Sequence, residues 1–407
     1  MKFKLCVYLV FIFLLSTTAQ DKKEVTLSSS IDQFNELYVC KHSIVVVDKK
    51  NESYVFFDNN GKRKKELQNR NQLKPYKPIL SKSGDFCGLI FKKTDDIHLI
   101  DIRDGNGNPI AEFDNVKASN YLISNNNKFL ITSRYSEING MGNFRAFNIE
   151  LGNEIDIPLP KNNEMFFAEF LSDNICVLII NQQLNIKKFN MNKRPRINQE
   201  SKQIKEIIHK PSKIYLIDLE NKIILSEKEI FTQDGDPVWM ANTCYNPVKV
   251  SNDKIILVGK IKPQHSLTSI LPFYLMVLNS NLECENENSL EEKDSNIYGV
   301  INFVSSDDDI FYIYHYQFES AKISKIKNEL ELEEIVNFNG NKKGFWPLIN
   351  LNDSLNEYRL SFKRSNELYR INAKSKEVIK SKLTKKIQCY DNEIVNVIEE
   401  NGKKIIR

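Results

Sequence analysis

The chain has 407 residues, of which 41% are hydrophobic and 27% charged, with 14 Gly and 12 Pro. That composition excludes an intrinsically disordered or collagen-like chain. The formal net charge of +4 comes from 57 basic and 53 acidic residues. Such a near balance gives no electrostatic case for a nucleic-acid partner, which shows as a concentrated basic face.

Residues 1–19 read as a signal peptide. Lys2 and Lys4 form a positive start, Leu5–Leu15 is an apolar run too short to span a bilayer, and Thr17 and Ala19 are small residues before Gln20. Polar Asp21, Lys22 and Lys23 follow at once. Cys6 opens the apolar run instead of closing it, which argues against lipidation. The expectation is an exported mature protein, periplasmic or extracellular, that does not span a membrane.

From residue 38 one unit recurs: an apolar strand, a turn of Asn, Asp, Ser and Lys, then a strongly apolar strand. Clear copies are Ile79–Phe91, Leu122–Ser133, Phe170–Ile180, Lys249–Gly259 and Phe303–Tyr314, with turn-opening Ser81, Ser124, Ser172, Ser251 and Ser305. Weaker copies are Tyr38–Val47, Ile349–Phe362 and Ile387–Ile398. Asn, Asp, Ser and Gly suit tight turns because they tolerate left-handed backbone or bond their own main chain. A third strand often follows, as at Tyr54–Leu67, Ile97–Phe113, Phe144–Ile157, Lys213–Leu225, Tyr274–Glu283 and Glu367–Ile379. The turns after Phe57 and Ile149 lead to a more polar fourth strand. Four strands with polarity rising outward are the anatomy of a propeller blade. Apart from one long interval, successive turns lie about 38–54 residues apart, close to the propeller period of roughly 40–50. The exception is the interval from Ser172 to Ser251, which holds a polar basic insertion at 187–211 with a short helix expected at 200–209.

These features predict an all-β chain. Residues 20–407 form a single β-propeller of four-stranded blades, eight favoured and seven the close alternative. The last unit lacks an outer strand, and Glu24–Ser28 is placed to supply it and close the ring. The Ser-x-Asp/Asn turns and the Phe-Asp-x-x-Gly-Lys turn at Phe57–Lys62 resemble those of secreted bacterial β-propellers of the TolB-like and related groups. The resemblance implies architecture and says almost nothing about function. The Gly-His and Trp-Asp signatures of WD repeats are missing.

Chemistry is sparse. No HExxH, HxH, CxxC, GxSxG, GxGxxG or Walker sequence occurs among the 407 residues. The five histidines lie far apart, and His98 alternates with apolar neighbours as a strand-face residue. Asp104–Asn108 looks like a calcium loop but has Pro109 and Asn115 where that motif needs Gly and Glu, so a turn is expected. Asp307–Asp309 reads as a solvated turn, and Asp234-Gly-Asp236 is the least ordinary acidic pair. No catalytic residue, metal site or cofactor is assigned.

Six mature cysteines allow 15 pairings. Cys87 and Cys176 sit in apolar runs and are expected to be buried residues. Cys40 and Cys389 approach one another if the ring closes. Residues just before the innermost strands share one face, and they include Tyr76, Phe166, Trp239, Tyr298 and Trp346. Aromatics there offer either broad contact surfaces for a protein or glycan, or plugs between blades. Lys187, Lys188, Lys193, Arg194 and Arg196 form a second candidate surface. The reading is a non-catalytic binding propeller for a protein or glycan. A glycan hydrolase or lyase with a cross-blade site at the channel mouth is the alternative.

Overall fold

The computed structural model of the chain describes residues 25–26, 36–68, 73–94, 97–118, 120–134, 143–159, 165–181, 211–240, 248–251 and 253–261, and beyond 273 the strands named below with a few adjoining turn residues. Residues 1–19, read above as a signal peptide, the basic segment with Lys187, Lys188, Lys193, Arg194 and Arg196, the helix expected at 200–209, Cys244, Tyr298 and Trp346 lie outside the described residues.

Strand β1 (Val25–Thr26) comes first. Sheet 1 holds β2 (Glu36–Val39), β3 (Ser43–Asp48), β4 (Ser53–Asp58) and β5 (Arg63–Leu67). Sheet 2 holds β6 (Lys74–Pro75), β7 (Ile79–Leu80), β8 (Phe86–Lys92), β9 (His98–Asp104) and β10 (Pro109–Val116). Sheet 3 holds β11 (Asn120–Ile123), β12 (Phe129–Arg134), β13 (Asn143–Asn148) and β14 (Asn153–Ile155). Sheet 4 holds β15 (Met165–Phe170), β16 (Ile175–Asn181), β17 (Lys213–Asp218) and β18 (Ile223–Glu229). Sheet 5 holds β19 (Val238–Trp239), β20 (Val248–Ser251), β21 (Lys254–Ile261), β22 (Phe273–Leu278) and β23 (Cys284–Leu290). Sheet 6 holds β24 (Val300–Ser306), β25 (Asp309–Tyr316), β26 (Ser320–Ile326) and β27 (Leu332–Phe338). Sheet 7 holds β28 (Pro347–Asn352), β29 (Glu357–Phe362), β30 (Glu367–Asn372) and β31 (Val378–Lys382). Last come β32 (Ile387–Cys389), β33 (Val397–Glu400) and β34 (Lys403–Ile406).

Apart from β32, which joins the edge of sheet 1, each of the seven sheets is an antiparallel meander in chain order. In sheets 2 and 5 the first strand is split in two, and both pieces pair with the second. The first strands of neighbouring sheets lie side by side: β7 by β11, β15 by β20, β20 by β24 and β24 by β28. The last repeat departs from the expected hairpin. β33 pairs with β34 and β34 with β1, whereas β32 runs parallel to β2, with Cys389 opposite Val39. The inner edge of β2 carries backbone groups that need partners, and β32 supplies them.

Burial explains the sequence pattern. The middle strands of sheets 2 to 4 read as apolar runs because each of these sheets packs between two neighbours. In β16, Cys176, Leu178 and Ile180 face sheet 3, while Val177 and Ile179 face sheet 5. In β8, Cys87, Leu89 and Phe91 face Tyr38, Val45, Tyr54 and Phe56 of sheet 1. Ile100 and Ile102 of β9 face Leu130 and Phe147 of sheet 3. Cys87 and Cys176 are fully buried, as their apolar surroundings predict. Outer strand β18 alternates exposed and half-buried residues instead.

The turn-opening serines work as their chemistry suggests. Ser81 and Ser124 are buried, and their hydroxyls accept the N–H of Phe86 and Phe129, both at 3.0 Å. Ser172 accepts from Ile175 at 3.3 Å. At the ends of third strands a carboxylate or amide takes this role. Asp58 Oδ1 accepts from Asn60 and Lys62, and Asp104 Oδ1 from Asn106 and Asn108. Asn279 Oδ1 does the same for Asn281 and Glu283. The fourth residue of each turn is left-handed: Gly61, Gly107 and Leu282, at φ 80°, 82° and 63°. Gly107 is obligatory on two counts, since a Cβ there would also stand 3.2 Å from the Phe56 ring. Leu282 tolerates the strain because its side chain is buried against sheet 4. The calcium-like Asp104–Asn108 segment is such a turn.

These capping carboxylates predict acid lability. The Lys62 N–H lowers the pKa of Asp58. Burial raises that of Asp104, but the hydrogen bonds from Asn108, Asn106 and Gly107 outweigh it and hold the group below its usual range. Asp218 behaves alike through Asn221 and Glu220. A carboxylate whose folded pKa lies below its unfolded value of about 3.9 contributes fully above that value. The contribution is lost as pH falls through the folded pKa. Melting temperature measured against pH is therefore expected to fall steeply below about pH 4. Asp104→Asn, which keeps the acceptor oxygen as Asn279 does, is expected to flatten that fall. An unchanged slope would exclude Asp104 as a contributor.

Candidate functional site

The antiparallel meander gives the stack of sheets two ends. One carries the turns between first and second strands and between third and fourth strands. In sheets 1 to 7 those connections are short, from 252–253 to 279–283. The other end carries the longer connections, among them 135–142, 156–164, 182–212, 262–272, 291–299 and 339–346.

From sheet 1 to sheet 4 the short-turn end spends its described polar groups on itself. Lys41 Nζ and His42 Nε2 of sheet 1 reach Asp85 of sheet 2 at 3.1 and 3.4 Å. Asn127 Nδ2 of sheet 3 donates to Ser83 of sheet 2 at 3.1 Å. Asn126 donates to Asn174 of sheet 4 at 3.2 Å, and Asn174 to Glu220 at 2.7 Å. Lys128 also binds Glu220, at 2.8 Å. Turn meets turn from sheet 1 to sheet 4.

The long-connection end is built differently. Tyr76 stands between the two pieces of the first strand of sheet 2. Its N–H donates to the Ile90 carbonyl at 2.8 Å and to the Tyr54 hydroxyl at 3.0 Å. The hydroxyl of fully buried Tyr54 thus ties the Tyr76 backbone to sheet 1. Tyr76 is 45% exposed. It stacks on His98 with centroids 5.7 Å apart and planes 10° apart, and Lys92 Nζ lies 5.3 Å from its centroid. His98 is buried and meets Tyr121 edge-on. The Tyr121 hydroxyl lies 2.5 Å from His98 Nδ1 and 2.9 Å from the Ala118 carbonyl. A carbonyl only accepts, so Tyr121 donates to Ala118 and His98 donates from Nδ1. Burial, then the neighbouring Tyr76, pushes the Tyr121 phenol well above its usual range, so it stays protonated. The result is a fixed aromatic platform: an exposed phenol braced from below by imidazole, with an ammonium beside it.

Of the other sequence candidates, Phe166 lies in β15 opposite Ile180, and Trp239 in β19 opposite Lys260. Tyr76, Phe166 and Trp239 thus begin the first strands of sheets 2, 4 and 5 at the same end. His98, Tyr121 and Lys92 were not read as site residues. Tyr121 had a usable signal, since it opens β11 near the position that Tyr76 holds in sheet 2. The Asp234–Asp236 pair forms a tight turn instead of an acid cluster. Gly235 donates to the Thr232 carbonyl, Asp236 N–H to the Thr232 hydroxyl, and Gln233 N–H to Glu287. Among the described residues no group of three or more His, Cys, Asp or Glu is arranged to hold a metal.

No known protein-family profile matches the sequence. No curated protein matches it either. Solved structures do resemble it. The C-terminal WD40 domain of Sif2 aligns at TM-score 0.53 and 9% identity, over 94% of this chain and 98% of that one. The uncharacterized protein lmo1340 from Listeria monocytogenes EGD-e aligns at 0.50 and 12%, over 87% and 96%. A prolyl endopeptidase aligns at 0.51 and 8%, over 86% of this chain and 50% of that one. A WD40 domain is a propeller of four-stranded blades. The fold is that of the β-propellers. Its likeness to a WD40 domain exists without the Trp-Asp dipeptide, so the shared feature is blade geometry and not the signature.

Proposed function

We propose that this chain is an exported, non-catalytic β-propeller that holds a protein partner against the end bearing its long connections, with Tyr76 as an anchor. The difference between the two ends carries this reading. One end has short turns that bond to each other from sheet 1 to sheet 4, while the other offers an exposed, pre-ordered aromatic and the longer connections. Recognition in scaffolds of this kind concentrates on loops held by a rigid frame. The starts of β7, β15 and β19 belong to three different sheets, a spread that suits the broad patch of a protein interface better than a single sugar ring. Export rests on the leader at 1–19. An eight-bladed ring is consistent with an eighth sheet of β33, β34 and β1, in which Val25 faces Ile406. Among the described residues no helix is long and apolar enough to cross a membrane.

The test is site-specific photocross-linking in the native host. A photoreactive residue replaces Tyr76 or, as a control, Leu151, which is 71% exposed in a turn at the opposite end. Discrete protein adducts are expected at position 76 and none at 151. Equal adducts at both positions, or adducts at 151 alone, would overturn the assignment of the face.

A further inference from the structure

Two of the buried cysteines stand where two sheets are locked together. Cys40 follows β2 and closes its turn, its N–H donating to the Ser43 carbonyl at 2.8 Å. Cys87 lies in β8 on the face turned to sheet 1, and both side chains belong to the same apolar cluster. Cys40 is 2% exposed and Cys87 is fully buried. The backbones around them are pinned: the Lys41 N–H donates to the Gly84 carbonyl at 3.0 Å, and Lys41 Nζ reaches Asp85 at 3.1 Å. The two thiols lie in the same cluster, close enough for each to act on the other, and neither is in a disulfide.

We infer that Cys40 and Cys87 are a disulfide-forming pair that joins the first sheet to the second when the chain folds in the presence of a disulfide oxidant. Each S–H bond breaks and one S–S bond forms. Two protons and two electrons leave, reducing one disulfide of the oxidant to two thiols. The thiolate is the attacking species in such exchange. The hydrogen bond from Cys40, then burial, holds the Cys87 thiol protonated well above the usual thiol range. The native reduced pair is therefore inert, and the bond forms before sheet 2 seats on sheet 1. Once formed, it is shielded from reductants by the same packing. Cys389 is the competitor, because its backbone lies opposite Val39, one residue from Cys40. The pairing with Cys87 is favoured because both side chains already lie in the one apolar cluster, beside the Lys41–Gly84 hydrogen bond.

The experiment refolds the mature chain in a buffer of oxidised and reduced glutathione. The product is alkylated in denaturant without reductant and digested with trypsin. The expected product is peptide 24–41 joined to peptide 83–92, two hydrogens lighter than the separate pair. Alkylation of both peptides, or 24–41 joined to 387–403, would overturn the inference. A second measurement needs no peptide. Protein refolded with a phosphine reductant throughout is expected to melt about 5 °C below the oxidised form. Cys87→Ala is expected to lose that difference, and a difference that persists in it would count against the pair. Refolding in a defined redox buffer makes the result independent of where the chain resides in the cell.

Discussion

Arg103→Met is expected to cost about 3–5 kcal/mol of stability, because it strands a buried carboxylate. Arg103 and Asp101 are two residues apart in β9, so both side chains point to the face against sheet 1. Each is only 3% exposed. Arg103 Nε and Nη2 donate to Asp101 Oδ2 at 3.0 and 2.7 Å, and Nη1 donates to the Gly107 carbonyl at 2.7 Å. Removing the guanidinium leaves Asp101 charged in an apolar interface and deprives Gly107 of its shorter donor. Replacing both residues, as in Asp101→Leu with Arg103→Met, is expected to recover most of the loss, since an apolar pair carries no desolvation cost. Urea denaturation of the parent protein and the two variants decides the matter. A loss under about 1 kcal/mol for Arg103→Met would mean that water reaches the pair.

Phe56→Ala is expected to cost a similar amount, about 3–5 kcal/mol. Its ring is fully buried in the cluster between sheets 1 and 2 and lies against Gly107. The neighbour on that side is a glycine with no side chain to move into the gap, so the cavity persists. Phe231→Ala is the control, because Phe231 is 41% exposed and its loss is expected within about 0.5 kcal/mol. Equal denaturation midpoints for the two variants would refute the packing assigned to Phe56.

Much of this frame can be read in the sequence because the turns carry it. Ser81, Ser124 and Ser172 are needed as local acceptors, and Asp58 and Asp104 as capping carboxylates, so the residues and the geometry coincide within a few positions. Strands β26 and β27 are harder to see. Lys322, Lys325, Glu333 and Glu334 break up the apolar run that marks the inner strands elsewhere. The last repeat misleads for another reason. Ile387–Cys389 has the look of a hairpin arm, but its partner, β2, is nearly a whole chain away. The platform at Tyr76 is only half legible. The aromatic can be located before its strand, whereas its support by His98 and Tyr121 joins residues from two sheets. No local pattern records that contact. The Asp101–Arg103 pair shows as two charges at strand spacing in an apolar run, a signal that points to a buried pair only once both faces of β9 are known to be covered.

The pairing of β2 with β32 also sets a schedule. Val39 and Cys389 are separated by about 350 residues. At about 5–20 residues per second, the ribosome delivers β32 some tens of seconds after β2. Throughout that interval the edge of β2 is open to strands of other chains. Leu37 and Tyr38 on that strand are buried in the finished structure. A segment made late therefore shields a sheet made early, and a chain cut short before residue 387 would leave that edge bare.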